Sequence, residues 1–333
     1  MTSNPIKKSG SLGFPWQTQD PFLFCVYHHD MYPAGDDHLG PKEGLGGRML
    51  GSDFEKKNGF RMYHGKVVPG FPAHPHRGFE TITIAEKGLV DHADSLGATG
   101  RFGNGDVQWM TAGKGVQHSE MFPLLNQEEK NELLLFQIWL NLPSYKKMAE
   151  PHYKMLWNEA IPVIEKDGAK VKLVYGRFEN TEQVDCAPDS WAAEEENQVG
   201  VFMISLNPGS RLLLPMQKSG VNRSLFFYEG NDLALGSEET DQHKYFELHD
   251  GVNCEISTKY GAKVLVLQGK PIKEKVVQQG PFVMNTEKEI NDTLYDFQMN
   301  GFGGWPWPRP DFVHGREKGR FAQYANGEVE NPA

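Results

Sequence analysis

Two short runs of this chain carry residues able to hold a metal ion. The run Phe71–Gly88, FPAHPHRGFETITIAEKG, contains His74, His76 and Glu80; 42 residues after His76, the run GVQHSEMF contains His118 and Glu120. Side chains alternate across an extended strand, so His74 and His76 share one face, as do His118 and Glu120. Continued at the same parity, the first face would also take in Gly78, Glu80, Ile82 and Ile84. If both runs line one cavity, three imidazoles and one or two carboxylates converge there. Imidazole suits Fe, Ni, Cu and Zn, and a carboxylate shifts the set toward Fe and Mn. No thiolate joins it, which argues against structural zinc. Four protein ligands around an octahedral ion leave two positions for a bidentate substrate, or for substrate and O₂. Glu80 competes with Glu120 for the carboxylate place. A single His-x-His is commonly idle on a surface; two such pairs, each preceded by glycine turns within one β region, make a site.

The remaining histidines are weaker candidates. His28 and His29 are adjacent and would face opposite ways in a strand, so at most one reaches the cavity, and hydrogen bonding at a surface or loop is the default. His64 and His92 stand alone and read as structural. Trp109 and Met110 read as core or cavity wall. TAGKGV lacks the Gly-Lys-Ser/Thr ending of a phosphate loop and is set aside.

The elements that must position these residues are strands. Up to about residue 140, short apolar runs such as PFLFCVYHHDMY, FETITIA, DVQWMTAG and LLLFQIWLNL are separated by Gly, Pro, Asn and Asp. Pro75 favours extended backbone at His74 and keeps its strand from a sheet centre. Residues 143–168 are charged, contain three prolines and lack strand alternation, so a connector is expected. Strand texture resumes in AKVKLVYG, VGVFMISL, SRLLLPM, RSLFFYEG, KYFELHDG and AKVLVLQG, and DCAPDSWAAEEENQ (185–198) reads as a surface loop. Thr286 and Glu289 form a capping-box pattern ahead of Ile290, Leu294, Tyr295 and Phe297, and Asn300-Gly301 ends that helix. The aromatic, proline-rich tail is expected to pack against the body. Segment 67–88 can also be laid on 206–230, with Leu213 and Pro215 standing where His74 and His76 would, a pattern that fits a diverged duplication.

Bulk properties exclude several classes. The chain has 333 residues, 34 Lys and Arg, 44 Asp and Glu and a formal charge of −10, which does not favour direct binding to nucleic acid or an anionic membrane. Cys25, Cys186 and Cys254 are too few and too scattered for a disulfide framework, and reduced thiols are expected. No apolar leader is visible in MTSNPIKKSGSLGFPW, and the longest apolar run, 133–142, is too short to span a bilayer. A cytoplasmic monomer is expected, with a nuclear location open for a eukaryotic source.

HPHRGFETITI, DHADSLG, GDVQWMTAGKGVQHSEM and GPFVMNTEKEI resemble the pirin family of the cupin superfamily. The likeness runs through most of the N-terminal half and returns at the C-terminal helix. It implies an all-β fold of two jelly-roll (cupin) β-barrels in tandem, with a short C-terminal helix and a packed tail. The expected divisions are an N-terminal metal-binding domain at 1–145, a connector at 146–165, a C-terminal cupin domain without a metal site at 166–280, and the helix and tail at 281–333. The resemblance implies Fe(II) as cofactor on His74, His76, His118 and Glu120, although Mn, Ni, Co or Cu can fill the same ligands. Glu80, where many cupins carry their carboxylate ligand, then becomes a second acid beside the metal. Some pirins act as quercetin dioxygenases and others as transcription cofactors. The first implies a small aromatic substrate such as a flavonol, bound through its deprotonated 3-hydroxyl, with Glu120 or Glu80 taking the proton. Three neutral imidazoles and one carboxylate leave a charge of +1 on Fe(II), which suits an anionic substrate oxygen. The second implies a redox-sensing regulator working through protein partners without turnover. The tail WPWPRPDFVHGREKGRF has no counterpart in the shorter pirins.

Overall fold

The computed structural model describes residues 4–181, 184–240 and 243–333. Among the described residues secondary structure is overwhelmingly β, with one α-helix, Glu287–Asn300. The chain forms two compact units, one from residues up to Val26 with 138–143 and 159–273, the other from 27–137, 144–158 and 274–333.

In the first unit a seven-stranded sheet runs in the order Ile6–Ser11, Lys244–Leu248, Asn222–Gly230, Ala262–Gly269, Gly200–Leu206, Ala169–Tyr175 and Val163–Lys166. A second sheet contains Arg211–Leu214, Cys254–Ser257, Leu233–Leu235 and Glu238–Thr240. Val171 and Leu173, Phe202 and Ile204, Leu225 and Phe227, and Val264 and Val266 come from the larger sheet at a strict period of two. They share one core with Leu212, Leu214, Leu233, Leu235 and Ile256 from the smaller, the construction of a jelly-roll sandwich. Burying each such side chain contributes about 1.5–3 kcal/mol. Ile6–Ser11 pairs antiparallel with Lys244–Leu248, so the chain start belongs here, a grouping that a linear division at residue 145 misses because strand pairing is non-local.

The second unit repeats the plan. One sheet holds His152–Leu156, Asp106–Thr111 and Phe79–Lys87, with the parts of Asn131–Asn141 and Phe22–Tyr32 that lie in this unit. The other runs Val329–Glu330, Phe321–Gln323, Thr99–Gly103, Leu89–Asp94, Val116–Met121 and Gly70–His76. Gly70–His76 is thus an edge strand, as Pro72 and Pro75 require. The expected connector holds a real strand, because His152–Leu156 sits between Pro151 and Pro162 and pairs along Asp106–Thr111.

The helix begins as its sequence predicts. Thr286 Oγ1 accepts from the Glu289 backbone N–H at 3.2 Å, and Gly301 closes the helix in the left-handed region at φ 56°. Ile290 is buried, but Tyr295 is exposed and does not join the apolar face. The tail packs tightly on its own unit. Phe321–Gln323 adds a strand beside Thr99–Arg101, Trp307 Nε1 donates to Asp94 O at 2.8 Å, and Ala73 N donates to Pro310 O at 2.7 Å. The last contact covers the open edge of Gly70–His76. Residues 185–198 are more than a surface loop: Trp191 and Asn197 are buried, and Trp191 Nε1 donates to Lys270 O at 2.9 Å. Among the described residues no helix is long and apolar enough to cross a membrane. Among the described residues, Cys25, Cys186 and Cys254 form no disulfide.

Candidate metal centre

Strand pairing brings the two candidate ligand pairs together. Gly70–His76 lies antiparallel to Val116–Met121 with His74 directly opposite His118. Opposed residues share a face, and His76 and Glu120 lie two positions away on their strands, at the same parity. A register shift between Phe71 and His74 sets this alignment. One nitrogen from each of His74, His76 and His118 lies within 4.8 Å of the others. The ring centroids are 4.5 Å apart for His74 and His118, 4.7 Å for His74 and His76, and 4.9 Å for His76 and His118.

Backbone carbonyls orient two of these rings. His74 Nδ1–H donates to Pro72 O at 2.9 Å, and His76 Nδ1–H to Pro281 O at 3.4 Å. Each bond fixes the tautomer that leaves Nε2 as a lone-pair donor. Burial pushes His74 down to about 4 and holds His76 and His118 well below the usual imidazole range. All three are therefore neutral at pH 7, the state in which imidazole binds a metal. Among the described residues, neither buried ring nitrogen of His118 has a hydrogen-bond partner. Such orphaned polar atoms are costly in a dry interior, and an ion coordinated between the three rings would satisfy one of the two. The donor set therefore fits a first-row transition metal.

The two carboxylates part company. Glu120 Oε2 stands 3.9 Å from His118 Nε2. The 4.8 Å grouping comprises the three imidazoles, and the Glu120 carboxylate beside them is held by two donors: Thr83 Oγ1 donates to Oε1 at 3.0 Å, and Gln137 Nε2 donates to Oε2. Burial raises its pKa, against the opposing pull of His92, Thr83 and Gln137. Glu80 is elsewhere. Gly78, at φ 87°, ends the His-bearing strand and starts Phe79–Lys87 in the other sheet, so parity does not carry across it. Phe79 packs on His76 and Thr83 binds Glu120, so the odd positions of that strand face the centre. Glu80, at even parity in a regular register, faces the opposite side, where it accepts from Trp109 Nε1 at 3.1 Å and Thr111 Oγ1 at 2.8 Å. The expectation of Glu80 as an acid beside the metal is thus corrected.

Other histidines also take definite places. His92 lies opposite Glu120 on the neighbouring strand, 5.6 Å from the His118 ring centroid, with Nε2 3.1 Å from Asp94 Oδ2. It is a wall of the site, which its isolation in sequence did not reveal. His28 is buried against Tyr63 Oη at 2.7 Å, and His29 bonds Glu132 at 3.1 Å. Thr83 and Gln137 were missed, though each left a signal. TITI alternates hydroxyl and apolar faces, and Gln137 is a polar interruption in LLLFQIWL.

Comparison with known proteins follows the same line. The pirin family model matches residues 45–140, and the model of the pirin C-terminal cupin domain matches 201–303. A Pseudomonas aeruginosa protein provisionally named quercetin 2,3-dioxygenase is 37% identical over 235 residues, covering 69% of this chain and 79% of the relative. Human pirin is 34% identical over 252 residues, covering 73% of this chain and 82% of pirin. The crystal structure of quercetin 2,3-dioxygenase from Acinetobacter baumannii superimposes with a TM-score of 0.69 at 26% identity, over 90% of this chain and 96% of that one. The chain belongs to the pirin family and has its two cupin domains.

Proposed function

We propose that this protein is an iron-dependent dioxygenase of flavonols such as quercetin, with a mononuclear centre on His74, His76, His118 and Glu120. The observation that carries the proposal is the buried trio of neutral imidazoles, with both nitrogens of His118 unsatisfied. The names of the Pseudomonas and Acinetobacter relatives support the reaction class. Bound Fe(II) would supply Lewis acidity toward an anionic substrate oxygen and the redox chemistry of O₂.

The chain's own residues do the rest. Pro72 and Pro281 carbonyls fix the His74 and His76 rings, so the donor atoms are set before any ion arrives. Glu120 is the acid-base group: burial raises its affinity for a proton, and a carboxylate oxygen receives the proton of the flavonol 3-hydroxyl. Thr83 and Gln137 keep that carboxylate from swinging. The surrounding barrel excludes bulk water and the side reactions it brings. The overall reaction places both atoms of O₂ in the cleaved product and releases one carbon of the flavonol as carbon monoxide. The test is oxygen uptake by the Fe(II)-reconstituted protein with quercetin. Uptake lost in His118→Ala supports the proposal; no uptake by protein shown to hold iron refutes it.

A further inference from the structure

The unit without the imidazole trio has a buried cation of its own. Arg223 is only 3% exposed, and among the described residues no carboxylate pairs with it. Its partners are neutral: Nε and Nη2 donate to Gln268 Oε1 at 2.9 and 2.6 Å, and Nη1 donates to Pro215 O at 2.7 Å. A guanidinium has five N–H groups, so one on each terminal nitrogen is left over. Burial pushes Arg223 down to about 10, as expected for a charge removed from water without a counterion. Buried charges are ordinarily paired.

Arg223 lines a cavity of about 240 Å³ whose walls include Gln217, Val199, Met216 and Tyr175. Gln217 is itself buried; its Nε2 donates to His249 O at 3.3 Å, while its Oε1 has no partner among the described residues. The wall thus offers one unneutralised cation with two spare donors and one spare acceptor. The rim carries Arg177 and Lys218 against Glu179, Glu194 and Glu195. Solvent and salt screen those rim charges, so the buried guanidinium decides what the cavity takes.

Its position in the fold also matters. Asn222–Gly230 and Phe79–Lys87 are both nine-residue strands running into a glycine of positive φ. With Gly230 laid on Gly88, Arg223 stands where Thr81 stands, at the inward parity shared with Leu225 and Phe227. The cavity therefore opens at the end of this barrel that corresponds to the end holding the imidazoles in the other.

We propose that the C-terminal barrel binds a small organic carboxylate, its carboxyl group on Arg223 and a hydroxyl or N–H donor on Gln217 Oε1. Charge-assisted bonds to a planar guanidinium favour a carboxylate, and a cavity of about 240 Å³ suits a small molecule.

L-malate, which has both groups, and acetate, which has only the carboxylate, are suitable probes. Equilibrium dialysis of the full-length protein at neutral pH should show one saturable malate per chain, with a Kd of about 1 mM or tighter. Arg223→Gln should weaken both probes at least about tenfold. Gln217→Leu should weaken malate and leave acetate unchanged, which keeps the test usable if Arg223→Gln fails to fold. His118→Ala should bind both normally. Absence of saturation by either carboxylate up to about 20 mM overturns the proposal. So does binding indifferent to Arg223→Gln and Gln217→Leu, or saturable binding of inorganic phosphate but of neither carboxylate.

Discussion

Replacing Arg101 tests how the tail is held on the unit that contains the three clustered imidazoles. Arg101 and Asp91 are both fully buried. Every N–H of the guanidinium is used: Nε and Nη2 donate to Asp91 at 2.6 and 2.8 Å, Nη2 to His314 O at 3.0 Å, and Nη1 to Gly315 O at 2.9 Å and Lys318 O at 2.7 Å. Arg101→Ala removes all five bonds and leaves the Asp91 carboxylate buried with the His314 backbone N–H at 2.8 Å. Breaking a buried pair from one side costs about 3–5 kcal/mol, mostly the stranded charge. The three tail carbonyls can rehydrate once the tail lifts, so they add less than about 1 kcal/mol each. The predicted loss is therefore about 3–5 kcal/mol, read as a lower urea midpoint at unchanged slope. Residues 304–333 should become protease-sensitive below that midpoint. Asp91→Leu combined with Arg101→Met removes both charges at similar volume and should recover most of the loss. A cost for Arg101→Ala below about 1 kcal/mol, or a tail no more sensitive to protease, would refute the reasoning.

Two further outcomes follow from the centre itself. Thr83→Val and Gln137→Leu each free one side of the Glu120 carboxylate and should weaken metal binding about 10- to 100-fold in chelator competition, with the fold intact by circular dichroism; unchanged affinity would show that Glu120 needs no such support. The metal-free protein should lose stability as pH falls. Burial pushes His28 down to about 3 and His74 to about 4, so the unfolded chain binds protons first. Stability from these groups is fully present above their unfolded value and declines from about pH 6.5 toward pH 4, by about 1.4 kcal/mol per pH unit for each histidine still neutral in the fold. Urea midpoints at pH 7.5 and pH 5 measure this, and equal midpoints would contradict it.

Much of this was legible because strand periodicity is simple. His74 with His76, and His118 with Glu120, were paired by parity alone, and the Thr286–Glu289 cap was plain in the residue types. The edge position of the first strand followed from its prolines. Glu80 went astray because Gly78 breaks the strand, and a change of sheet leaves no mark in alternation. The place of Ile6–Ser11 depends on a pairing across more than 230 residues, which no local pattern encodes. His92 looked structural because a lone histidine reveals its neighbours only once the sheet is assembled. The insertion at 185–198 looked like a loop because one tryptophan among acids gives no periodicity, yet Trp191 anchors it.

The central claim is that His74, His76, His118 and Glu120 hold one metal ion and that Glu80 does not. The direct measurement is bound iron per chain after Fe(II) reconstitution and removal of free metal, in the parent protein and in His74→Ala, His118→Ala and Glu80→Gln. The account predicts one iron per chain in the parent and in Glu80→Gln, and loss of iron in both histidine variants. Full occupancy in His118→Ala, or loss of iron in folded Glu80→Gln, would contradict it.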